Sequence, residues 1–425
     1  MTRQTAGMHQ VRQLWRFPAF RWLLVGRTTV MLGNAVAPVA LAFAVLDLTG
    51  SVRDLGLVVG ARSAANVLTV LFGGVLADRL PRALVLRGSA TASALTQAAV
   101  AAVVLSGYAS IAPVLVLSFV NGAVVGLGMP AAMALTPQTV PAQWVRQANA
   151  VLRLGASSAM IGGAAAGGML VAGVGPGWGI VVDAAAFAVA AGCFARIRLS
   201  GNGSERPVAG EREHPLRSLR EGWSEFVSRT WVWVVVAQFS VLNAAISGGF
   251  AVLGPVVADA TMGRRAWGLV LAANTAGMVV GGLLALRWQP RRALAFGVGL
   301  MLCEAVPLLL LGLAPLALLL GVAMFLAGVA VEQFAIAWDV SLQQNVPTDR
   351  LSRVYSYDAL GSFVAIPLGQ VAVAPLAAAF GVRSTLIGCA VLVVVPTLLA
   401  LLSRSVRTLQ RDDRDDRDDR DGLAA

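Results

Sequence analysis

Long apolar segments, separated by short polar or charged breaks, recur along the whole chain of 425 residues. Twelve of them reach the ~18 residues at which an apolar run becomes a candidate membrane-spanning helix. They lie near 21–46, 54–77, 84–107, 112–135, 147–173, 177–198, 231–257, 266–286, 293–313, 316–340, 354–377 and 381–402. The strict alternation that barrel strands need in a membrane does not occur. Backbone in lipid must satisfy its own hydrogen bonds, so the pattern predicts an all-α membrane protein. The first segment comes after a basic stretch, is too long for a cleavable signal peptide, and has no small-residue cleavage site after a short core.

The longest polar break opens with SGNGSERPVAGEREHP and divides six segments from six. The expected organisation is an N-terminal six-helix bundle over 1–199, a cytoplasmic linker over 200–229, a second six-helix bundle over 230–403 and a charged tail over 404–425. Within the linker, LRSLREGWSEF fits an amphipathic helix at the membrane surface and a solvated connector equally well. The tail RDDRDDRDDRD carries four arginines and seven aspartates, a local charge of −3, and reads as a solvated low-complexity segment.

The halves resemble each other. GGVLADRLPR (73–82) matches GGLLALRWQPR (281–291) with one insertion, and VPAQWVRQANAVLRLG (140–155) matches VPTDRLSRVYSYDALG (346–361) without a gap. LGNA (32–35) and LNAA (242–245) occupy the first span of each half. Six spans return the chain to its starting side, so the repeats run in parallel about an axis along the membrane normal.

Composition sharpens this. The chain is 57% hydrophobic and 13% charged, where soluble domains carry about 25% charged residues. The net charge is +11, and arginine is the only strong base. Nucleic acid is not the implied partner, because the arginines alternate. They crowd before span one and after spans two, four, six, eight and ten, while the intervening loops hold Arg53, Arg264, Arg265 and Arg383. This positive-inside pattern predicts a cytoplasmic-membrane protein with both termini in the cytoplasm. Cys193, Cys303 and Cys389 fall inside spans without ligand spacing, and His9 and His214 have no second ligand nearby, so no metal site is expected. Without an ATP-binding loop, a nucleophile triad or HExxH, neither an enzyme nor an ATP-driven pump is expected, and no cofactor is implied.

Charge is concentrated in GGVLADRLPR, between spans two and three. Gly73 and Gly74 allow close helix approach. Asp78 can face the positive end of a neighbouring helix, Arg79 and Arg82 can pair with carboxylates or lipid headgroups, and Pro81 turns the chain. This loop resembles the signature loop of the major facilitator superfamily, roughly GxxxDRxxR. LDLTGSVRDLGLVVGAR (46–62), WDVSLQQNVP (338–347) and RVYSYDALGS (353–362) are similar to its branch of macrolide-efflux and enterobactin-exporter proteins. The resemblance implies a conformational latch in which Asp78 meets the start of span eleven, from Arg353 to Asp358, when the pocket opens outward. In the second copy Leu286 replaces the acid, so the latch is asymmetric. Span four lacks the arginine of the familiar drug/proton antiporters, and span five has Gly163 where they carry proline.

Polar groups deep in spans default to facing a cavity. Asn34 shares a face of span one with Arg27, Met31 and Pro38. Arg62 and Asp183 are candidates for a charge pair, and Gln238, Asn243 and Asn274 are further candidates. Glu332, Asp339 and Gln343 share a face of span ten, with Gln333 beside Glu332, and Glu304 lies midway along span nine. Glu304 and Glu332 are candidate proton carriers, and Glu332 could instead bind a cationic drug; pairing with an arginine is the structural alternative. Asp339 reads as an organiser of the cytoplasmic end. GAAAG (163–167) and GMVVG (277–281) are helix-packing patterns. Phe43, Phe119, Phe250 and Trp338 are candidate cavity walls. The expected function is export of an amphipathic small molecule, an antibiotic or other natural product, by proton antiport through a monomer in the bilayer. Small-metabolite uptake and a non-transporting sensor are the alternatives.

Overall fold

The structure is a computed structural model that describes residues 13–79, 81–107, 110–198, 223, 224, 226–285, 287 and 290–409, with the side chains of 71–80, 134, 348, 349 and 352 excepted. Among the described residues, twelve helical spans run through it. In the first half they are α1 (Pro18–Thr49), α2 (Val52–Arg79), α3 (Arg82–Leu105), α4 (Ile111–Thr139), α5 (Val145–Val174) and α6 (Pro176–Ala195). In the second they are α7 (Thr230–Thr261), α8 (Arg264–Ala285), α9 (Ala293–Leu313), α10 (Ala317–Asn345), α11 and α12 (Val382–Leu402). The eleventh span, α11, is built of two segments, Thr348–Phe363 and Ala365–Phe380, that meet at Val364. A short helix, α13 (Arg404–Thr408), comes last. Among the described residues, eleven helices are long and apolar enough to cross a bilayer, by length and composition. The helix α2 is 28 residues long, and its described part carries Arg53, Asp54 and Arg62.

The spans form two six-helix bundles with one neighbour pattern. In the first half α1 packs on α5 and α6, α2 on α4, and α3 on α4 and α6; in the second α7 packs on α11 and α12, α8 on α10, and α9 on α10 and α12. The matched sequences take matched backbones. Val140 and Val346 are both extended and buried, and each precedes a proline that opens the next helix. Proline restricts the residue before it to extended conformations, so this dipeptide ends one helix and starts another. Turns at the face away from the termini also correspond: Gly50 and Gly263 have φ of 61° and 83°, and Gly175 and Gly381 have φ of 94° and 83°. Only glycine takes that conformation without strain.

Polar side chains tie neighbouring helices through backbone carbonyls and, in one case, a hydroxyl. Asn66 donates to the Gly122 carbonyl at 3.3 Å between α2 and α4, and Asn274 donates to the Met324 carbonyl at 3.1 Å between α8 and α10. Gln333 donates to the Gly281 carbonyl at 2.9 Å, Asn243 to the Ser362 carbonyl at 2.9 Å, and Gln238 to the Thr397 hydroxyl at 3.0 Å. Each such bond in lipid contributes about 0.6 kcal/mol. The small-residue patterns serve the same packing. Gly163 and Gly167 lie on Leu32, Ala35 and Val36 of α1, and Gly277 and Gly281 lie on Phe325, Val329 and Glu332 of α10.

Candidate functional site

Among the described residues, two helix pairs make the main contacts between the bundles: α5 with α8, and α2 with the second segment of α11. They are equivalent under the internal repeat. Both approach closely near the face opposite the termini. A Cβ on Gly168 would lie 2.8 Å from the Gly268 Cα, and one on Gly56 would lie 2.7 Å from the Gln370 carbonyl oxygen. On the same face Arg264, at the start of α8, forms a two-pronged pair with Asp47 at the end of α1, at 2.6 and 2.8 Å. Arg264 also reaches Asp259 at 2.8 Å and lies over the Phe43 ring, 4.7 Å from its centroid. Asp47 and Phe43 belong to the first half, whereas Asp259 and Arg264 belong to the second. The first segment of α11, nearest the termini, finds its principal neighbours, α7 and α10, inside its own half. The bundles are therefore clasped at the face away from the termini.

Beneath this clasp lies a cavity of about 420 Å³, walled by α1, α2 and α4 on one side and α7, α8 and α11 on the other. Its polar lining is Arg62, Ser63, Asn66 and Gln370; Pro38, Val59, Leu271 and Ile366 are among its apolar walls. A π-helical turn, Ser247–Leu253, carries Phe250 into the wall, and such turns recur at functional sites. Phe250 stacks near Trp267 at 6.4 Å between ring centroids, and glycine at 254 leaves room for the indole.

Behind Arg62 is a buried polar cluster. Asp183 of α6 is fully buried, accepts a hydrogen bond from Gln97 of α3, and packs against Gly33 of α1, where any side chain would collide with its carboxylate. Arg62 and Asp183 act on each other electrostatically, but they do not meet as an ion pair within 4 Å. The second carboxylate oxygen, Oδ1, has no hydrogen-bond partner among the described residues. Asn121 donates to Thr96 at 3.0 Å in the same layer.

The remaining candidates are distributed. Asn34 is half-buried in α1, one turn from Pro38 in the cavity wall. Asn243, Asn274 and Gln333 are committed to neighbouring backbones. Glu304 is buried in a 3₁₀ turn of α9, Met301–Glu304, away from the cavity, with Oε1 unpartnered among the described residues. Glu332 is half-buried against Gly282 and feels the charge of Arg153, on α5 of the other half. Trp338 is core: it stands edge-on to Trp231 at 5.6 Å and donates to Asp358 at 3.0 Å. Asp358 also accepts from Ser362 at 3.1 Å, and the exposed Asp339 accepts from Tyr355 at 3.2 Å, so these acids join α10 to α11 near the termini. Of the candidate walls, Phe250 lines the cavity, Phe43 lies under Arg264 and Phe119 is exposed.

The latch residues Gly73, Gly74, Asp78 and Arg79 lie on the backbone of α2, but their side chains fall outside the described residues. Arg82 and Arg353 are half-buried and engaged. Reading the sequence alone missed Gln97, Asn66, Trp267 and Gln370, and took Arg264 only as a loop charge. Two signals were available: Arg264 and Asp47 both sit where a span meets its turn, and Gln370 is an amide inside an apolar run.

The enterobactin exporter EntS of Shigella dysenteriae serotype 1 (strain Sd197) is 27% identical over 268 residues, covering 63% of this chain and 62% of that protein. The same protein from Escherichia coli O1:K1 / APEC matches with the same identity and coverage. The match thus spans less than two thirds of these relatives. Among solved structures, the nucleoside transporter NupG superposes with a TM-score of 0.69 at 12% identity, covering 92% of this chain and 100% of that one. A bacterial homologue of the human lysosomal transporter Spinster, inward-facing and unoccupied, superposes with a TM-score of 0.71 at 17% identity, covering 92% and 98%. At such identities the likeness bears on the fold alone. Residues 23–369 match the profile of the Major Facilitator Superfamily. With two matched six-helix bundles enclosing a cavity at their seam, this multi-pass membrane chain belongs to the Major Facilitator Superfamily.

Proposed function

We propose that this protein is a secondary active transporter that exports amphipathic small molecules, antibiotics or other natural products, across the cytoplasmic membrane by alternating access. The observation that carries the reading is a cavity walled by both bundles and clasped, among the described residues, at the face away from the termini. A chamber built this way can change its exposure when the bundles rock about it. In this reading both termini are cytoplasmic, the clasped face is external and the structure is inward-facing. The organisation is a bundle over 1–199, a linker over 200–229, a bundle over 230–403 and a tail over 404–425, working as a monomer. The exporter relatives support the outward direction. Proton antiport supplies the drive, with Asp183, Glu304 and Glu332 as the buried or half-buried acids available to carry protons.

Arg153 of α5 and Glu332 of α10 lie in opposite halves and act on each other electrostatically, and in this reading they approach when the internal side closes. By family resemblance, Asp78 engages the start of α11 in that same outward-open state. Uptake into inside-out vesicles tests the proposal: a proton gradient, acidic within, should drive accumulation of a substrate found by growth protection. Accumulation only in right-side-out vesicles would refute export, and flux indifferent to the gradient would refute antiport.

A further inference from the structure

The chemistry of the cavity restricts what it can hold. This inference rests on the transport reading for its location but not for its test. Arg62 is the charged side chain in the described lining, and no carboxylate accompanies it. Asp183 is sealed behind the wall and held by Gln97, outside ion-pair distance, so the guanidinium remains available to a ligand. Asp47 and Asp259 are engaged with Arg264 at the clasp. Across the cavity Gln370 is 5% exposed, and its Oε1 has no hydrogen-bond partner among the described residues. A buried acceptor left unpaired is costly, so this oxygen calls for a donor from whatever occupies the cavity. Phe250 lines the cavity and is backed by the buried Trp267, so it offers an aromatic face to an occupant.

We propose that the cavity takes anionic aromatic amphiphiles: an aryl carboxylate or acidic phenol, its anion on Arg62, its ring against Phe250, and a hydroxyl or N–H donated to Gln370. A cationic drug finds no counter-charge there and meets the field of Arg62. An arginine–carboxylate pair is charge-assisted and two-pronged, and the low-dielectric wall strengthens it. The assignment differs in charge from the cationic ligand that Glu332 suggested, because Glu332 is absent from the cavity lining.

The test uses the full chain in lipid nanodiscs and isothermal titration calorimetry with three probes of one ring system: hydroxynaphthoate, hydroxynaphthamide and hydroxynaphthylmethylammonium. The carboxylate should bind about tenfold more tightly than the amide, with the ammonium weakest. Arg62→Gln should erase that preference while leaving amide binding, and Arg62→Lys should keep part of it. Asp183→Asn, which preserves the contact with Gln97, should tighten carboxylate binding by removing the rival negative charge; a merely structural cluster would weaken it. An amide or ammonium that binds as tightly as the carboxylate, or an unchanged preference in Arg62→Gln, overturns the proposal. Because the readout is binding, a protein that prefers the anion but moves nothing in vesicles refutes transport and leaves this inference standing.

Discussion

The clasp at Arg264 supports a quantitative prediction. When the bundles part at this face, Arg264 and Asp259 travel together, being five residues apart at the α7–α8 turn. The links of Arg264 that break are the pair to Asp47 and the contact with Phe43. Asp47→Asn removes the charge and keeps an acceptor oxygen, so it isolates the Coulombic part. Exposed ion pairs contribute about 0.2–1 kcal/mol, and charge-assisted hydrogen bonds about 1.5–3 kcal/mol. The Arg264 and Asp47 side chains are 22% and 41% exposed, which places this pair toward the lower range, raised somewhat by its two-pronged geometry. A loss of about 1.4 kcal/mol is a tenfold change in the ratio of closed to open forms of the clasped face. Double electron–electron resonance between spin labels at Thr49 and Thr261, with Cys193, Cys303 and Cys389 replaced, reads that ratio directly. Asp47→Asn should enlarge the long-distance population about tenfold; Asp259→Asn should change it much less, since its pair survives opening. Raising salt should weaken the clasp in the parent protein and have little effect in Asp47→Asn, because a partly exposed pair is screened over about 8–10 Å. Equal effects of the two aspartate changes, or none from either, would show that the pair does not hold this face shut.

The same contacts carry other consequences. Gly168→Leu places a side chain against Gly268 and should force the clasped face open, read by the same labels, without altering membrane insertion. Glu332→Gln should abolish proton-linked flux while ligand binding persists; full pH-dependent transport by the variant would remove Glu332 from the coupling route. Asn274→Leu and Gln333→Leu each delete a helix–helix hydrogen bond and should lower thermal stability, by about 0.6 kcal/mol apiece, leaving carboxylate preference at Arg62 unchanged.

The arrangement of spans was legible in the chain because lipid demands it. An apolar run long enough to cross the bilayer has one way to satisfy its backbone, and α2 was found despite Arg62 because its flanks were apolar. The repeat was legible as well: the Val-Pro dipeptides at 140–141 and 346–347 set matching breaks. Polar residues in spans were readable as a class but not by role. Asn34, Asn243, Asn274 and Gln333 resemble one another in sequence. Three of them are spent on a neighbouring backbone, while Asn34 sits beside the cavity wall.

What the chain by itself determined was a solvent, a count of crossings and an internal symmetry, all set by local properties: hydrophobicity, proline, and glycine at positive φ. What only the tertiary structure decided was company. Arg62 faces Gln370 across a cavity, Asp183 is sealed behind Arg62 by Gln97 and Gly33, and Arg264 holds Asp47 from the other half. These partners are separated by scores to hundreds of residues, and a helix surface offers many faces. Charge and hydrogen-bond energies depend on distance and burial, and both exist only once the bundles have packed.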